Sequence, residues 1–178
     1  MQSSNPKFTF PEYFHGKIAN LWNVLNMVEQ IEVAPPAEAV VQFSIFTPNR
    51  LGRLHALINL LSAKSVHVLA LTILDTTECA VIRIVVDDPD MARELFSKNE
   101  FPFAESRLVV TELNSTEDLN KLVAALVEAE LNINYLYPFI PHPRGKSIIA
   151  MNVEDNEVAA QTLKRHDFPV LTQADISR

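Results

Sequence analysis

The stretch Asn49-Arg50-Leu51-Gly52-Arg53-Leu54 holds the residue types that offer this chain the most chemistry. Gly52 lacks a Cβ and lets the backbone come close to a ligand. A helix beginning just beyond it, with Leu54, Leu57, Ile58 and Leu61 at helical spacing, would present first-turn amides that have no intrahelical acceptor. Those amides sit at the positive end of the helix dipole, where a carboxylate is held well. The Asn49 side-chain oxygen can accept a hydrogen bond from an α-amino group. The same residues also have a plain architectural use, with Asn49 as a helix cap and Gly52 as the turn.

The other reactive residues form no comparable set. His15, His55, His67, His142 and His166 lack the i, i+4 spacing and the carboxylate clustering of a metal site. Cys79 starts an apolar strand pattern with no His or Asp partner assignable to it, so packing explains it better than nucleophilic chemistry. As the single cysteine it can build neither an internal disulfide nor a Cys-based metal cluster, which fits a reducing, cytoplasmic setting. His142-Pro143-Arg144-Gly145-Lys146 is a cationic hairpin tip that reads as a solvated turn before it reads as an anion site. Arg83 lies in an otherwise apolar strand, where it marks the wet face or a dimer interface. No cofactor is implied.

The elements that must position the Gly52 loop occur twice. Sliding the sequence by 65 positions lays Leu54, Leu57, Ile58, Leu61, Val66 and Val68 over Leu119, Leu122, Val123, Leu126, Leu131 and Ile133, and Asn49 over Asn114. Further on the offset becomes 67, and Arg165-His166-Asp167-Phe168-Pro169-Val170 falls on Lys98-Asn99-Glu100-Phe101-Pro102-Phe103. Two copies of one unit follow. In the first, a strand from Val40 leads through the loop to a helix and a second strand Val66–Leu71. A turn at 75–78 then gives Ala80–Val86, rich in β-branched residues, and a helix opened by Asp87-Asp88-Pro89-Asp90 with Met91, Leu95 and Phe96 as its buried side. Lys98–Phe103 enters a fourth strand. The second copy repeats this from a strand Arg107–Glu112 and a helix Asp118–Ala129, through strands Asn132–Phe139 and Lys146–Val153. The order is βαββαβ, the ferredoxin-like arrangement of an antiparallel sheet with both helices on one face.

Length and charge are consistent with this. The 178 residues can bury two small cores, and 48% hydrophobic content is ordinary for a packed chain. A formal charge of −7, with no basic cluster beyond Arg144-Gly145-Lys146, excludes a nucleic-acid surface as the ruling feature. No signal peptide is recognisable, and no run approaches the roughly 20 apolar residues of a membrane span. Ahead of the copies, Ile18, Leu21, Trp22, Leu25 and Val28 form one apolar stripe along a helix between His15 and Glu32, a cover for the domain or a docking helix for a partner. Ala34-Pro35-Pro36-Ala37-Glu38 breaks it.

The βαββαβ order and the Asn49–Leu54 loop, followed by a helix and a short apolar strand, resemble the ACT domain, a regulatory module that binds amino acids in enzymes of amino-acid metabolism. That family's loop typically reads Asp-x-Pro-Gly-x-Leu: Asn49 stands for the Asp and Leu51 for the Pro, while Gly52 and Leu54 match. In the second copy, Leu131-Asn132-Ile133-Asn134-Tyr135-Leu136-Tyr137 resembles the segment Gly-Ile-Asn-Ile-Glu-Tyr-Leu-Tyr of tandem ACT proteins. The expected architecture is α+β: two ACT-type units with antiparallel sheets packed side by side, plus an N-terminal helix. The expected divisions are an arm at 1–38, a first unit at 39–105 and a second at 106–178.

The resemblance implies a non-catalytic regulatory or sensor protein. A small molecule, most simply an amino acid, would bind at Asn49, Arg50, Leu51, Gly52, Arg53 and Leu54, against the second strand of a neighbouring unit, which points to His67 or to Asn132 and Asn134. A homodimer and a regulated enzyme partner are further implications. The second loop, Asn114-Ser115-Thr116-Glu117-Asp118-Leu119, has no glycine. Ser115 with Asp118 looks like a capping box there, and Glu117 and Asp118 would repel a carboxylate. One site per chain is therefore expected. The alternative is a structural module that has lost its ligand. An enzyme on the same fold would need a glycine-rich phosphate loop that three glycines do not supply, and an RNA-binding module would need an aromatic platform and basic surface that are missing.

Overall fold

The computed structural model describes residues 39–75, 79–140 and 147–177. The expected N-terminal helix, the proline connector, the 76–78 turn and the His142–Lys146 tip lie outside them. The described chain runs β1 (Val40–Pro48), α1 (Arg53–Ser62), β2 (Val68–Asp75), β3 (Cys79–Val86), α2 (Pro89–Lys98) and β4 (Phe103–Leu113). It continues with α3 (Asp118–Glu128), β5 (Ile133–Pro138), β6 (Ser147–Val153), α4 (Asn156–Arg165), β7 (Val170–Leu171) and α5 (Gln173–Ile176). No helix among the described residues is long and apolar enough to cross a membrane.

The strands follow the order β2-β3-β1-β4-β6-β5, with β7 on the flank of β4. All pairings are antiparallel, so each copy is a ferredoxin-like four-stranded unit. The two sheets join through β4, one continuous strand where the sequence pattern gave two. Its first half, Phe103–Leu108, pairs with β1 and closes the first copy. Its second half, Val109–Leu113, pairs with β6 and opens the second. No glycine, proline, asparagine or aspartate separates Ala104 from Arg107, and both halves keep their pairing, so the chain has no reason to leave the sheet there.

Each sheet buries one face under its own helices. Phe43, Ile45, Leu57, Leu61, Ile84 and Phe96 fill the first core, with Phe43 and Phe96 edge to face at 5.3 Å. Leu122, Leu126, Met151 and Leu163 fill the second. In α2 the inward stripe is Ala92, Leu95 and Phe96; Met91, expected inside, stands one position off that stripe and is 37% exposed. A third core lies between the two backs of the sheet, where Val40, Ala70, Val85, Leu108, Val110 and Ala150 meet. There the outer strands of the path also touch, through a bridge from Ala70 to Phe139 and a hydrogen bond from Ile140 N–H to Leu69 O of 2.8 Å.

The duplication reaches into the backbone. Among the described residues, four other than glycine have positive φ: Ser65 (57°), Glu100 (55°), Glu130 (55°) and Asp167 (63°), one after each long helix and at the 65 and 67 spacings of the sequence. In every case the next residue donates its N–H to the carbonyl five positions back: Val66 to Leu61, Phe101 to Phe96, Leu131 to Leu126 and Phe168 to Leu163. Those are Schellman endings with their apolar contact, built on residues that carry a Cβ. Both copies also bulge at the start of their second strand, between Val68 and Ala70 and between Ile133 and Tyr135.

Candidate functional site

The first loop leaves β1 at Pro48 and enters α1 through Gly52, whose φ of 86° and ψ of −10° place it in the left-handed region. A Cβ there would meet nothing within 4 Å, so the backbone angle and not crowding is what asks for glycine. Gly52 is the N-cap and brings no side chain to cap the first turn, and no acid lies in that turn. Asn49, Arg50, Leu51 and Gly52 are exposed, Leu51 completely. Arg53 and Leu54 are half-buried. The Arg53 guanidinium turns back to the fold: its Nε donates to Thr47 Oγ1 at 2.9 Å, and the group lies over the Phe101 ring at 5.0 Å.

The second loop differs in length as well as sequence. Thr47 lies opposite Ala80 in the first sheet, and Leu113 lies opposite Ser147 in the second. Since the two β3-type strands correspond at spacing 67, the first strands correspond at 66, not at the 65 that aligns the helices. The inward faces agree: Phe43 corresponds to Val109, both packed under their own helices. Overlaying Asn49 on Asn114 therefore holds for the helix and loop but slips in the strand, where a one-residue shift would turn every side chain to the wrong face. The Gly52 loop carries one residue more than its counterpart.

In that shorter loop Asp118 Oδ2 accepts the N–H groups of Asn114 and Ser115, at 3.0 and 3.1 Å, and Oδ1 accepts from Lys121 Nζ at 2.9 Å. The expected capping box is only half made. Asp118 reaches back to the loop, but Glu117 stands at the N-cap with no side-chain bond. The Lys121 hydrogen bond, helped by the two amides, holds the Asp118 carboxyl below the usual carboxylate range.

His67 stands at the opposite end of the first sheet. The Gly52 loop adjoins the Pro48–Cys79 pair, and His67 precedes the Val68–Val86 pair, roughly 23 Å away at the rise of a strand. The His67 ring Nδ1 is 2.6 Å from Asp87 Oδ2, its N–H donates to Asp87 Oδ1 at 2.8 Å, and its carbonyl accepts from Asp87 N–H at 3.1 Å. His67 borders an open groove with Ile58, Ser62, Ser65, Val66 and Val68. Asn132 and Asn134 flank the start of β5, three strands from β1 in the sheet, and their side chains donate to Glu154 (3.0 Å) and Asn152 (2.8 Å). Within one chain these residues do not converge with the loop.

The sequence places Asp87 only at the start of a helix and not beside His67, although a signal for the pair exists. The 65 and 67 spacings lay His67 over Asn132 and Asp87 over Glu154, so both hairpin mouths carry a polar pair, His67–Asp87 and Asn132–Glu154. The polar centre between the sheets was also missed. Gln42, fully buried, places its amide nitrogen 3.1 Å from Ser44 Oγ and 2.9 Å from both Ser106 Oγ and Tyr135 Oη, and accepts from Tyr137 Oη at 2.8 Å. Arg83 lies over the Tyr135 ring at 4.0 Å with its Nε buried and unpartnered. It thus faces the second copy and not water, because its strand is covered on both sides. Burial pushes the Tyr137 phenol up, with Tyr135 adding to the shift and Arg83 opposing it. No group of three or more metal-ligating side chains converges among the described residues.

Two ferredoxin-like copies fused through one strand, with a glycine loop opening the first helix, define the class of protein. The family description "ACT domain pair" matches residues 38–177, and the chain belongs to that family. Protein BT0572 from Bacteroides thetaiotaomicron has a similar fold, with a TM-score of 0.71 at 24% identity over 78% of this chain and 95% of that one. The ligand-free regulatory subunit of aspartate kinase from Thermus thermophilus aligns at TM-score 0.49 and 14% identity, over 73% of this chain and 93% of that one. No curated protein sequence matches the chain.

Proposed function

We propose that the protein is a non-catalytic regulatory module that binds one small amino acid, or a metabolite of similar size and charge, per chain at the Gly52 loop. The observation that carries this reading is the contrast between the two loops. One is longer by a residue, enters its helix through a glycine at positive φ, and has no acid in the first turn. The other is drawn shut on Asp118. Membership of the ACT domain pair supports the ligand class. The positive helix end would take the carboxylate and Asn49 the amino group. Since His67 stands at the far end of its own sheet and Asn132 and Asn134 are bound to neighbours, the second wall of the site would come from a second copy of the chain. A homodimer is thus part of the proposal. Ligand binding would favour one arrangement of that dimer by its difference in affinity for the two, and a regulated enzyme would read the change.

Arg53 favours a second reading, a structural module without a ligand, because its charged head is spent on Thr47 and Phe101. A thermal-shift panel of amino acids at millimolar concentration separates the two. Stabilisation by one amino acid that Gly52→Asp abolishes supports binding. A flat panel supports the structural module.

A further inference from the structure

After β7 the second copy does what the first does not. The first copy's fourth strand runs on as β4, whereas the chain beyond Leu171 leaves its sheet and crosses to the first copy. Thr172 and Asp175 close a capping box around the single turn of α5. From that turn the Gln173 side chain accepts the N–H of Val41 at 3.1 Å and donates to the carbonyl of Val86 at 3.0 Å, joining β1 to the end of β3. Ile176 is buried in the core between the sheets, beside Val40, Val85 and Tyr137. Ser177 Oγ accepts from Gln173 Nε2 at 3.3 Å and donates to the Asp87 carbonyl at 2.5 Å. Asp87 is the residue that fixes His67 at three points, through ring, amide and carbonyl. A path of hydrogen bonds, passing through the body of Asp87, therefore runs from the last turn of the second copy to His67 at the border of the open groove of the first.

We propose that residues 171–177 form a strap that seats the second copy on the first and, through Ser177 and Asp87, sets the orientation of His67, so that strap seating and the state of the His67 groove are one coupled equilibrium. Asp87, Gln173 and Ser177 are positioning residues in this scheme, acting on His67 without standing in the groove themselves. The physical basis is cooperativity along a chain of hydrogen bonds in a partly buried setting. Coupling of this kind must be reciprocal: what loosens the strap must free His67, and what releases Asp87 from His67 must loosen the strap by the same factor. The proposal rests on this geometry alone and stands whether or not an amino acid binds at Gly52.

Amide hydrogen exchange and NMR of the His67 ring, on the full chain, test it. In Gln173→Ala the exchange of the Val41, His67 and Asp87 amides rises about fivefold, the order set by losing roughly one net hydrogen bond. Amides of α3, which packs in the second core and not in the inter-sheet core that holds Ile176, keep their rates, and the His67 ring signals move toward those of Asp87→Asn. In Asp87→Asn the Ser177 amide, which donates to Gln173 O at 3.0 Å, exchanges faster by a similar factor. Ser177→Ala, a milder change, gives a smaller shift in the same direction. The proposal is overturned if the strap loosens while His67 and Asp87 keep their wild-type signals, or if exchange rises equally in all strands, since that reports lost stability and no coupling.

Discussion

Replacing Gln42 by Leu tests the account of how the two copies are held together. Gln42 is fully buried at the contact between the sheets, and its amide nitrogen faces three oxygens, from Ser44, Ser106 and Tyr135, with only two hydrogens to give. Its carbonyl oxygen is the acceptor for Tyr137, whose ring is 4% exposed. Leu fills nearly the same volume but strands the Tyr137 hydroxyl, while the half-buried serines can turn to water. A stranded buried donor costs about 1–3 kcal/mol, so Gln42→Leu should destabilise by roughly 2 kcal/mol and lower Tm by roughly 4–8 °C for a chain of this size. Tyr137→Phe alone strands the Gln42 carbonyl instead and should cost about 1 kcal/mol. The double variant removes both partners, so its loss should fall short of the sum by about 1 kcal/mol or more. Urea unfolding of the four proteins, read with a common m-value, measures the cycle. Additive losses, within about 0.3–0.5 kcal/mol, would mean the pair is not coupled and the inter-sheet network is not as described.

Three more outcomes follow from the same structure. Glu100→Gly relieves a side chain held at positive φ after α2, so it should stabilise by up to about 1 kcal/mol in chemical denaturation, the left-handed strain being partly offset by a looser unfolded chain. The raised Tyr137 phenol leaves stability untouched below the ordinary tyrosine range near pH ~10. Above it the unfolded chain releases a proton that the folded one keeps, so stability falls as pH rises, and Tyr137→Phe should flatten that alkaline limb. Asp118 behaves in the opposite sense: its lowered carboxyl favours the folded state above the usual carboxylate range, and that contribution is lost as pH falls through the folded value. Asp118→Asn should flatten the acid limb of the stability profile.

Much of the fold was legible in the sequence because its repeat is written in helix stripes and helix endings, where spacing alone carries information. The Phe101-Pro102 and Phe168-Pro169 echo marked two of the four Schellman turns, each following a residue at positive φ. What stayed hidden lay where two structures share one pattern. Gln42, Arg83, Tyr135 and Tyr137 alternate with apolar neighbours as a solvated sheet face would, and only the packing of the two sheets shows that this face is covered. The continuity of β4 was hidden because Phe103–Leu113 holds one strand's worth of signal for each copy and nothing to show that they are the same strand. The slip by one residue in the first strands was hidden because apolar residues occupy both faces. At the candidate site, Gly52 and the closed Asp118 loop were readable from residue types. The pairing of His67 with Asp87 needs the hairpin register, whereas Thr172 with Asp175 has the spacing of a capping box in the sequence itself.

Isothermal titration of the full chain with the amino acid that gives the largest thermal shift tests the central claim most directly. The account predicts one site per chain, abolished by Gly52→Asp and retained in Asp118→Asn. Saturation near a hundredfold over Kd should stabilise the fold by roughly 2.7 kcal/mol. Two sites per chain, or full binding in Gly52→Asp, would contradict it.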